Sequence, residues 1–433
     1  MRGPAAFRGT FDALSVRNYR LYFWGQVVSV SGTWMQSVAQ AWLVLKLSHS
    51  GVELGALPAI QFLPMLVAGP WGGLVADRMD KRRTLVGTQV AAGLLALTLG
   101  LLTQTGVVRV WMIFALAAGL GCVNAVDNPT RQTFVMEMVG PERLTNAVTL
   151  NSVVMNAARI VGPAIGGVLI YTVGIATCFL VNAASYVAVL AALMMMRRGE
   201  LLPAELVARR KGQVLAGLRY VRATPAVRTP LLMIAVIGTL AYNFTVTLAL
   251  LDQRTFHGGA GGYSAMTSIF GAGAVVGGLL AASRGKPTGR RLGMISLAFG
   301  SLLVLCALMP NMPAELAALA VMGAFSITFI ATANTTLQLT AAPEMRGRVM
   351  ALYAVAFLGS TPIGSPIVGW VSETFGPRVG IGLGGVATVV TALVALPSLT
   401  GTRRMLLRRR RRVGVIAPVE PPVPAPEDAV AAL

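Results

Sequence analysis

The sequence predicts an all-α integral membrane protein of twelve spanning helices, arranged as two similar six-helix halves. Three observations predict it. Of 433 residues, 55% are apolar and only 12% are charged, against about 25% charged in a soluble domain. The apolar residues gather into runs of ~20, the length that crosses a bilayer core. The basic residues collect in the connections on one side of those runs.

The runs lie at 19–45, 54–76, 85–104, 110–126, 147–171 and 177–196. After a polar break they resume at 230–251, 263–283, 292–309, 315–340, 349–371 and 381–399. Hydrocarbon offers backbone groups no partner, so each run is read as helix. Barrel strands would alternate in ~10-residue units, and these runs do not. Arg2, Arg8, Arg17 and Arg20 stand before or at the very start of a first run too long for a secretory signal core of ~7–15 residues. It is read as a retained helix. The expected organisation is a half at 1–196, a basic linker at 197–228, a half at 229–400 and a tail at 401–433.

Charge sets the orientation. With both chain ends on one side, 31 of the 36 Lys and Arg fall there. Lys46, Arg109, Arg254 and Arg378 fall opposite, and Arg159 lies within a run. The positive-inside rule then puts both termini in the cytoplasm of a multi-pass protein of the cell's inner membrane. The net charge of +20 therefore reports topology, not a nucleic-acid face. Residues 213–222 form either an amphipathic helix on the inner leaflet or a solvated basic connector. Arg408–Arg412 can meet anionic headgroups, and the Pro- and acid-rich end beyond them is expected to be disordered.

Other chemistry is excluded. Cys122, Cys178 and Cys306 each sit in an apolar run, and His49 and His257 lack ligand-spaced partners. No metal, disulfide or cofactor is expected. HExxH, GxSxG and GxxxxGK[ST] are absent, so neither a membrane hydrolase nor an ATP-driven pump is indicated. A receptor or structural protein has no sizeable soluble domain here to signal through.

Four basic residues and two acids crowd one connection, Gly73-x3-Asp77-Arg78-Met79-Asp80-Lys81-Arg82-Arg83. A basic loop alone would mark the cytoplasmic side, which leaves Asp77 at the end of a Gly-rich apolar helix unexplained. The spacing resembles the loop between the second and third helices of major facilitator superfamily transporters. That family prefers Gly where Asp80 stands. The fifth run reads Arg159-Ile-Val-Gly162-Pro163-Ala-Ile-Gly166-Gly167, similar to the fifth-helix motif of proton-driven exporters in that superfamily. Pro163 removes a helix hydrogen bond and the glycines admit a close neighbour, as a hinge needs. Pro362 and Gly364 answer it in the eleventh run. With Asp127-Asn-Pro-Thr-Arg131 and Arg346-Gly347-Arg348, these stretches resemble the enterobactin-exporter-like, drug-efflux branch over about residues 11–399. Pro141-Glu142 and Gly162…Gly167 recur 202 residues later as Pro343-Glu344 and Gly364…Gly369, the duplication expected of that fold. In the second half, Ala282 takes the place of the loop acid.

The resemblance implies a monomeric secondary transporter that exports an amphiphilic siderophore or drug by alternating access, driven by protons. An importer or a lipid or metabolite carrier of the same fold is the alternative. It also implies an inner gate in which Asp77, braced by Arg78 and Arg82, meets the start of the eleventh helix near Arg346, Gly347 and Arg348. One departure stands out. Where the family's fourth helix carries a relay Arg, this chain has Leu116.

A charge at mid-span is costly and must face a cavity or a counter-charge. Arg159 is therefore either a structural lock, with Asp127 as its candidate partner, or a switch or anionic-substrate contact. Asp127 and Arg131, four apart, can also pair along one helix. Trp34, Gln36, Gln40, Gln61, Asn124, Tyr242, Asn243, Asn334 and Gln338 are polar or aromatic near mid-membrane. Each either bonds helices together or lines the cavity. Acids within the membrane are few, which leaves Asp252, Asp127 and Glu53 as proton-carrier candidates.

Overall fold

The computed structural model describes residues 11–202, 213–283 and 287–413, and within them side chains other than those of 69–78, 213–214, 282–283, 358 and 401–413. Arg2, Arg8, Arg209, Arg210, Lys211, Arg284, Lys286 and the Pro- and acid-rich end lie outside the described residues. The side chains of Asp77, Arg78 and Arg408–Arg412 lie outside the described side chains.

Among the described residues the regular structure is all helical. In the first half run α1 (Arg17–Ser48), α2 (Gly51–Arg78), α3 (Lys81–Gln104), α4 (Val110–Thr172) and α5 (Ile175–Met195). A short α6 (Gln213–Ala223) falls in the linker. The second half holds α7 (Pro225–Ala241), α8 (Phe244–Leu251), α9 (Gly259–Ser283), α10 (Gly289–Ala307), α11 (Met312–Thr340), α12 (Arg346–Leu358), α13 (Thr361–Thr374) and α14 (Pro377–Val413).

Ten described helical stretches are long and apolar enough to cross a membrane. They differ from the twelve expected runs in two places. The fourth and fifth runs share α4, which leaves helical geometry at Gly140, φ 71° and ψ 177°. That is a conformation open to glycine and costly for other residues. The first run, α1, is absent from the ten; its buried Asn18, Gln26, Gln36 and Gln40 dilute its hydropathy. The seventh run is broken between α7 and α8 at Tyr242 and Asn243, both outside helical φ/ψ. The eleventh changes helix at Gly359 and Ser360.

Without water between them, membrane helices associate by packing, and small residues let backbones approach. In the second half a Cβ on Gly273 would overlap the carbonyl of Ala320, so α9 and α11 touch backbone to backbone. The halves meet in the same way. A Cβ on Gly55 of α2 would overlap the carbonyl oxygen of Ser365 on α13, and one on Gly369 would overlap that of Gly51. Ser268 of α9 donates to the carbonyl of Ile160 on α4 at 3.2 Å.

We name the two ends of the bundle by charge. The basic end carries Lys81–Arg83, Arg197 and Arg346–Arg348; the far end carries the α1–α2, α8–α9 and α13–α14 connections. The Gly55–Ser365, Gly369–Gly51 and Ser268–Ile160 contacts between halves lie at the far end and in the middle. Towards the basic end, polar residues stay uncovered or only half-covered. Ser152 and Asn156 do so on α4, and Asn334, Thr335 and Gln338 on α11. Polar side chains at membrane depth are more readily left uncovered beside water than beside lipid. With the contacts between halves gathered at the far end and in the middle, this is the pattern of a space between the halves open at the basic end.

Candidate functional site

At the basic end the charged connection is built into the first half. Asp80 caps α3, its carboxylate accepting from the Arg83 amide at 3.0 Å. This gives the Asp that replaces the family's Gly a local role, since a cap satisfies an orphan donor. Lys81 pairs with Glu137 of α4 at 2.5 Å, both largely shielded from solvent. Arg82 donates from Nε to the Leu193 carbonyl at 2.6 Å and from NH2 to the Met194 carbonyl at 3.1 Å. A cation on the last carbonyls of α5 complements that helix's negative end. In the second half α12 begins at Arg346, so Arg346, Gly347 and Arg348 form its first turn. The linker helix braces this turn. Gly217 packs on Arg348, and the Tyr220 hydroxyl accepts from the Ala342 amide at 3.0 Å. Leu215, Leu218, Arg219 and Arg222 remain exposed on its outer side.

A buried polar network joins α1, α3 and α4. Asp127 pairs with Arg131, Oδ2 to NH2 at 2.6 Å. Its Oδ1 accepts from Thr88 at 2.7 Å and Gln89 at 2.8 Å. Arg131 also donates to Gln26 of α1. The local pairing expected four residues apart is present, and Asp127 is not the counter-charge of Arg159.

Arg159 lies instead against Trp34 of α1, its Cζ 4.9 Å from the ring centroid. The expected hinge motif supports this approach. Gly162 packs on the Trp34 side chain and the Ser31 carbonyl, and Gly166 on Met35. Gly167 faces Ser264 of α9. Pro163 does not interrupt α4, whose non-helical residue is Gly140. Pro362 occupies the first turn of α13, and Gly364 touches the backbone of α7 at Thr239.

From the other half, Tyr242 reaches the same level and lies within electrostatic range of Arg159. Its hydroxyl donates to the Ser326 carbonyl at 2.8 Å. Its ring meets Phe244, Phe299, Phe329 and Phe357 at centroid distances of 5.3–6.4 Å. Asn243 accepts from Ser365 at 2.8 Å, which ties the α7–α8 break to α13. The remaining expected cavity residues divide. Gln36 is buried and accepts from Asn182 at 2.6 Å, and Gln40 is buried beside it. Gln61 and Asn124 are half-buried; Gln338 donates to Asn334 at 2.5 Å near the open end.

The candidate proton carriers differ in environment. Asp252 is fully buried where α8 passes into a π-helical turn, and it forms no ion pair among the described residues. Glu53 sits in the first turn of α2 with a buried oxygen unpartnered. Sequence reasoning missed Glu315. It is fully buried in the first turn of α11, with both oxygens unpartnered. Its place at a predicted helix start disguised it as an ordinary capping acid.

A second missed group closes the far end. Glu373 of α13 accepts at Oε2 from the Ser50 hydroxyl and the Val52 amide, each at 2.8 Å. Arg254 donates to the carbonyls of Glu373 at 3.0 Å and His49 at 3.1 Å. The bonds to Ser50, Val52 and His49 cross between halves that are far apart in sequence, and no local spacing announces them.

Two helical halves joined at one end, open at the other and lined by polar groups at membrane depth define a membrane transporter of the major facilitator type. The chain belongs to the transmembrane secretion effector family, whose model matches residues 8–403. It is similar to the staphyloferrin A transporter of Staphylococcus aureus, with 24% identity over 87% of this chain and 94% of that protein. The multidrug efflux pump Tap of Mycolicibacterium fortuitum is 25% identical over 82% of this chain and 89% of the pump. The enterobactin exporter EntS of Shigella flexneri is 22% identical over 89% and 92%. Among solved structures, a POT family transporter in complex with 5-aminolevulinic acid superposes with a TM-score of 0.74. It has 10% identity over 89% of this chain and 96% of that one. A bacterial homologue of the lysosomal transporter Spinster gives 0.69 at 14% identity, over 90% and 98%. The chain is thus a multi-pass membrane transporter for small molecules and not an enzyme.

Proposed function

We propose that this protein is a proton-driven exporter of an amphiphilic siderophore or drug, working as a monomer by alternating access. One observation carries the reading. The halves are joined at the far end and in the middle, while polar side chains stay uncovered between them at the basic end. With the basic end cytoplasmic, as 31 of 36 basic residues favour, substrate enters from the cytoplasm. Relatives named for siderophore transport, multidrug efflux and enterobactin export support the substrate class and the direction. Impermeant maleimide should label Val107→Cys, in the α3–α4 connection, in intact cells. It should label Glu142→Cys only after the membrane is opened. The reverse pattern overturns the orientation.

Asp252 is the best-supported proton carrier. Asp127 is already neutralised by Arg131, whereas Asp252 is fully buried and in no ion pair among the described residues, so its charge is not already compensated. Everted vesicles should accumulate a transported dye when their lumen is acidified and lose that uptake when the pH gradient is collapsed. Asp252→Asn should abolish the gradient dependence, lowering uphill uptake by about tenfold or more, while leaving downhill exchange. Uptake by wild type that ignores the gradient would contradict proton drive. Gradient-driven uptake by Asp252→Asn at the wild-type rate would move the carrier elsewhere, with Glu315 and Glu53 next.

A further inference from the structure

Arg159 lies about halfway along the membrane part of α4, half-buried, in none of the ion pairs formed by the described residues. Its Nε is buried without a hydrogen-bond partner. A guanidinium does not give up its proton, so the charge persists at membrane depth, where charges are costly and mark ligand paths. The expected counter-ion is not available. Asp127 is held by Arg131, Thr88 and Gln89.

What Arg159 does contact is the face of Trp34 at 4.9 Å. An aromatic face attracts the cation but accepts no conventional hydrogen bond. That contact leaves the guanidinium without an ion-pair partner among the described residues, and a guanidinium can bind a pair of oxygens side by side. Across the gap between halves, Tyr242 has its hydroxyl turned to Ser326. It presents a ring, backed by Phe244 and Phe357. A cation without an ion-pair partner among the described residues and an aromatic cluster thus lie on the two halves, near the level of the α4–α9 contact through Ser268.

We propose that Arg159, held on Trp34, is an anion-binding site for an organic substrate bearing a carboxylate or an equivalent pair of oxyanions on an aromatic or apolar body. The inference rests on the transporter reading above and narrows its substrate to anionic amphiphiles.

Three dyes that share one body separate charge from greasiness: dansylglycine (carboxylate), dansylglycinamide (neutral) and dansylcadaverine (ammonium). Their binding to the full chain in nanodiscs is read by fluorescence. Wild type should bind dansylglycine about tenfold or more tighter than the other two. Arg159→Gln should bind dansylglycine and the amide alike, with amide binding showing that the cavity survives. Arg159→Lys should keep part of the preference, because it keeps charge but lacks the planar fork. If Arg159→Gln does not fold, Arg159→Lys and Trp34→Leu supply the same comparison, each with a reduced preference. Wild type that binds the three dyes equally, or binds none, overturns the proposal. So does Arg159→Gln with an intact preference, or displacement of dansylglycine by equal chloride. These assays need neither direction nor coupling. Selective binding without export in everted vesicles would sink the exporter reading alone. Export of dansylcadaverine as readily as dansylglycine would sink this one alone.

Discussion

Asp77→Asn is expected to insert and fold normally, to hold the protein open at the basic end and to cut transport severely. The expectation follows from what must happen there when the cavity turns outward. The α2–α3 connection then has to meet the start of α12. That start carries Arg346 and Arg348 in its first turn, and its first amides lack helical partners, which makes it partially positive. An acid at position 77 supplies a charge-assisted contact of roughly 0.3–2 kcal/mol, equivalent to about a two- to thirtyfold shift between two states. The rest of the connection is already rigid. Lys81 is tied to Glu137, Arg82 to the end of α5, and Asp80 caps α3. The loop thus has the structure of a positioned arm. Ala282→Ser, at the corresponding place in the second half, should transport normally. Transport by Asp77→Asn at the wild-type rate, at matched expression, would reduce this stretch to a topological marker.

Glu373→Gln is expected to act in the opposite sense. Its carboxylate takes bonds from Ser50 and from the Val52 amide in the first turn of α2, so it rests on the positive end of a helix from the other half. Arg254 adds one bond over the same seam, to the His49 carbonyl, and a second to the Glu373 carbonyl within its own half. The latch exists only while the far end is closed. Loss of the charge should therefore favour the far-end-open state, by about tenfold if the contact is worth ~1.4 kcal/mol. Glu373→Gln combined with Arg254→Gln should do so more strongly. Transport should fall because the transporter returns slowly to the cytoplasm-open state. Rates equal to wild type in the double variant would remove the latch from the cycle.

The two ends differ in how they could be read. The basic connection at Lys81–Arg83 and the helix start at Arg346 were legible because a dense charge pattern and a basic pair at a helix start are local features. So was Asp127 with Arg131, because four residues make one turn. Close packing at Gly162 and Gly166 followed from small-residue spacing, although α4 bends at Gly140 and not at Pro163. What the sequence hid depends on partners hundreds of residues away. Glu373 reads as a polar residue ending a helix until Ser50 is beside it. Gln36 resembles a cavity residue until Asn182 is found bonded to it. Arg159 calls for a cavity or a counter-charge by rule, and its aromatic neighbour Trp34 is given only by the geometry. The break at Tyr242 and Asn243 has no Gly or Pro to announce it.

Alternating access makes one demand that no static barrel of helices meets: when one end opens, the other must close. Spin labels on Glu142 and Arg290 report the basic end, and labels on Val107 and Leu308 report the far end; all four positions are exposed. Electron–electron distance measurements on wild type in nanodiscs should give two populations at each end, coupled in opposite directions. Asp77→Asn should enrich the long Glu142–Arg290 distance with the short Val107–Leu308 distance, and Glu373→Gln the reverse. Distances that stay single and unmoved by either variant, or that lengthen together at both ends, would contradict alternating access between two rocking halves.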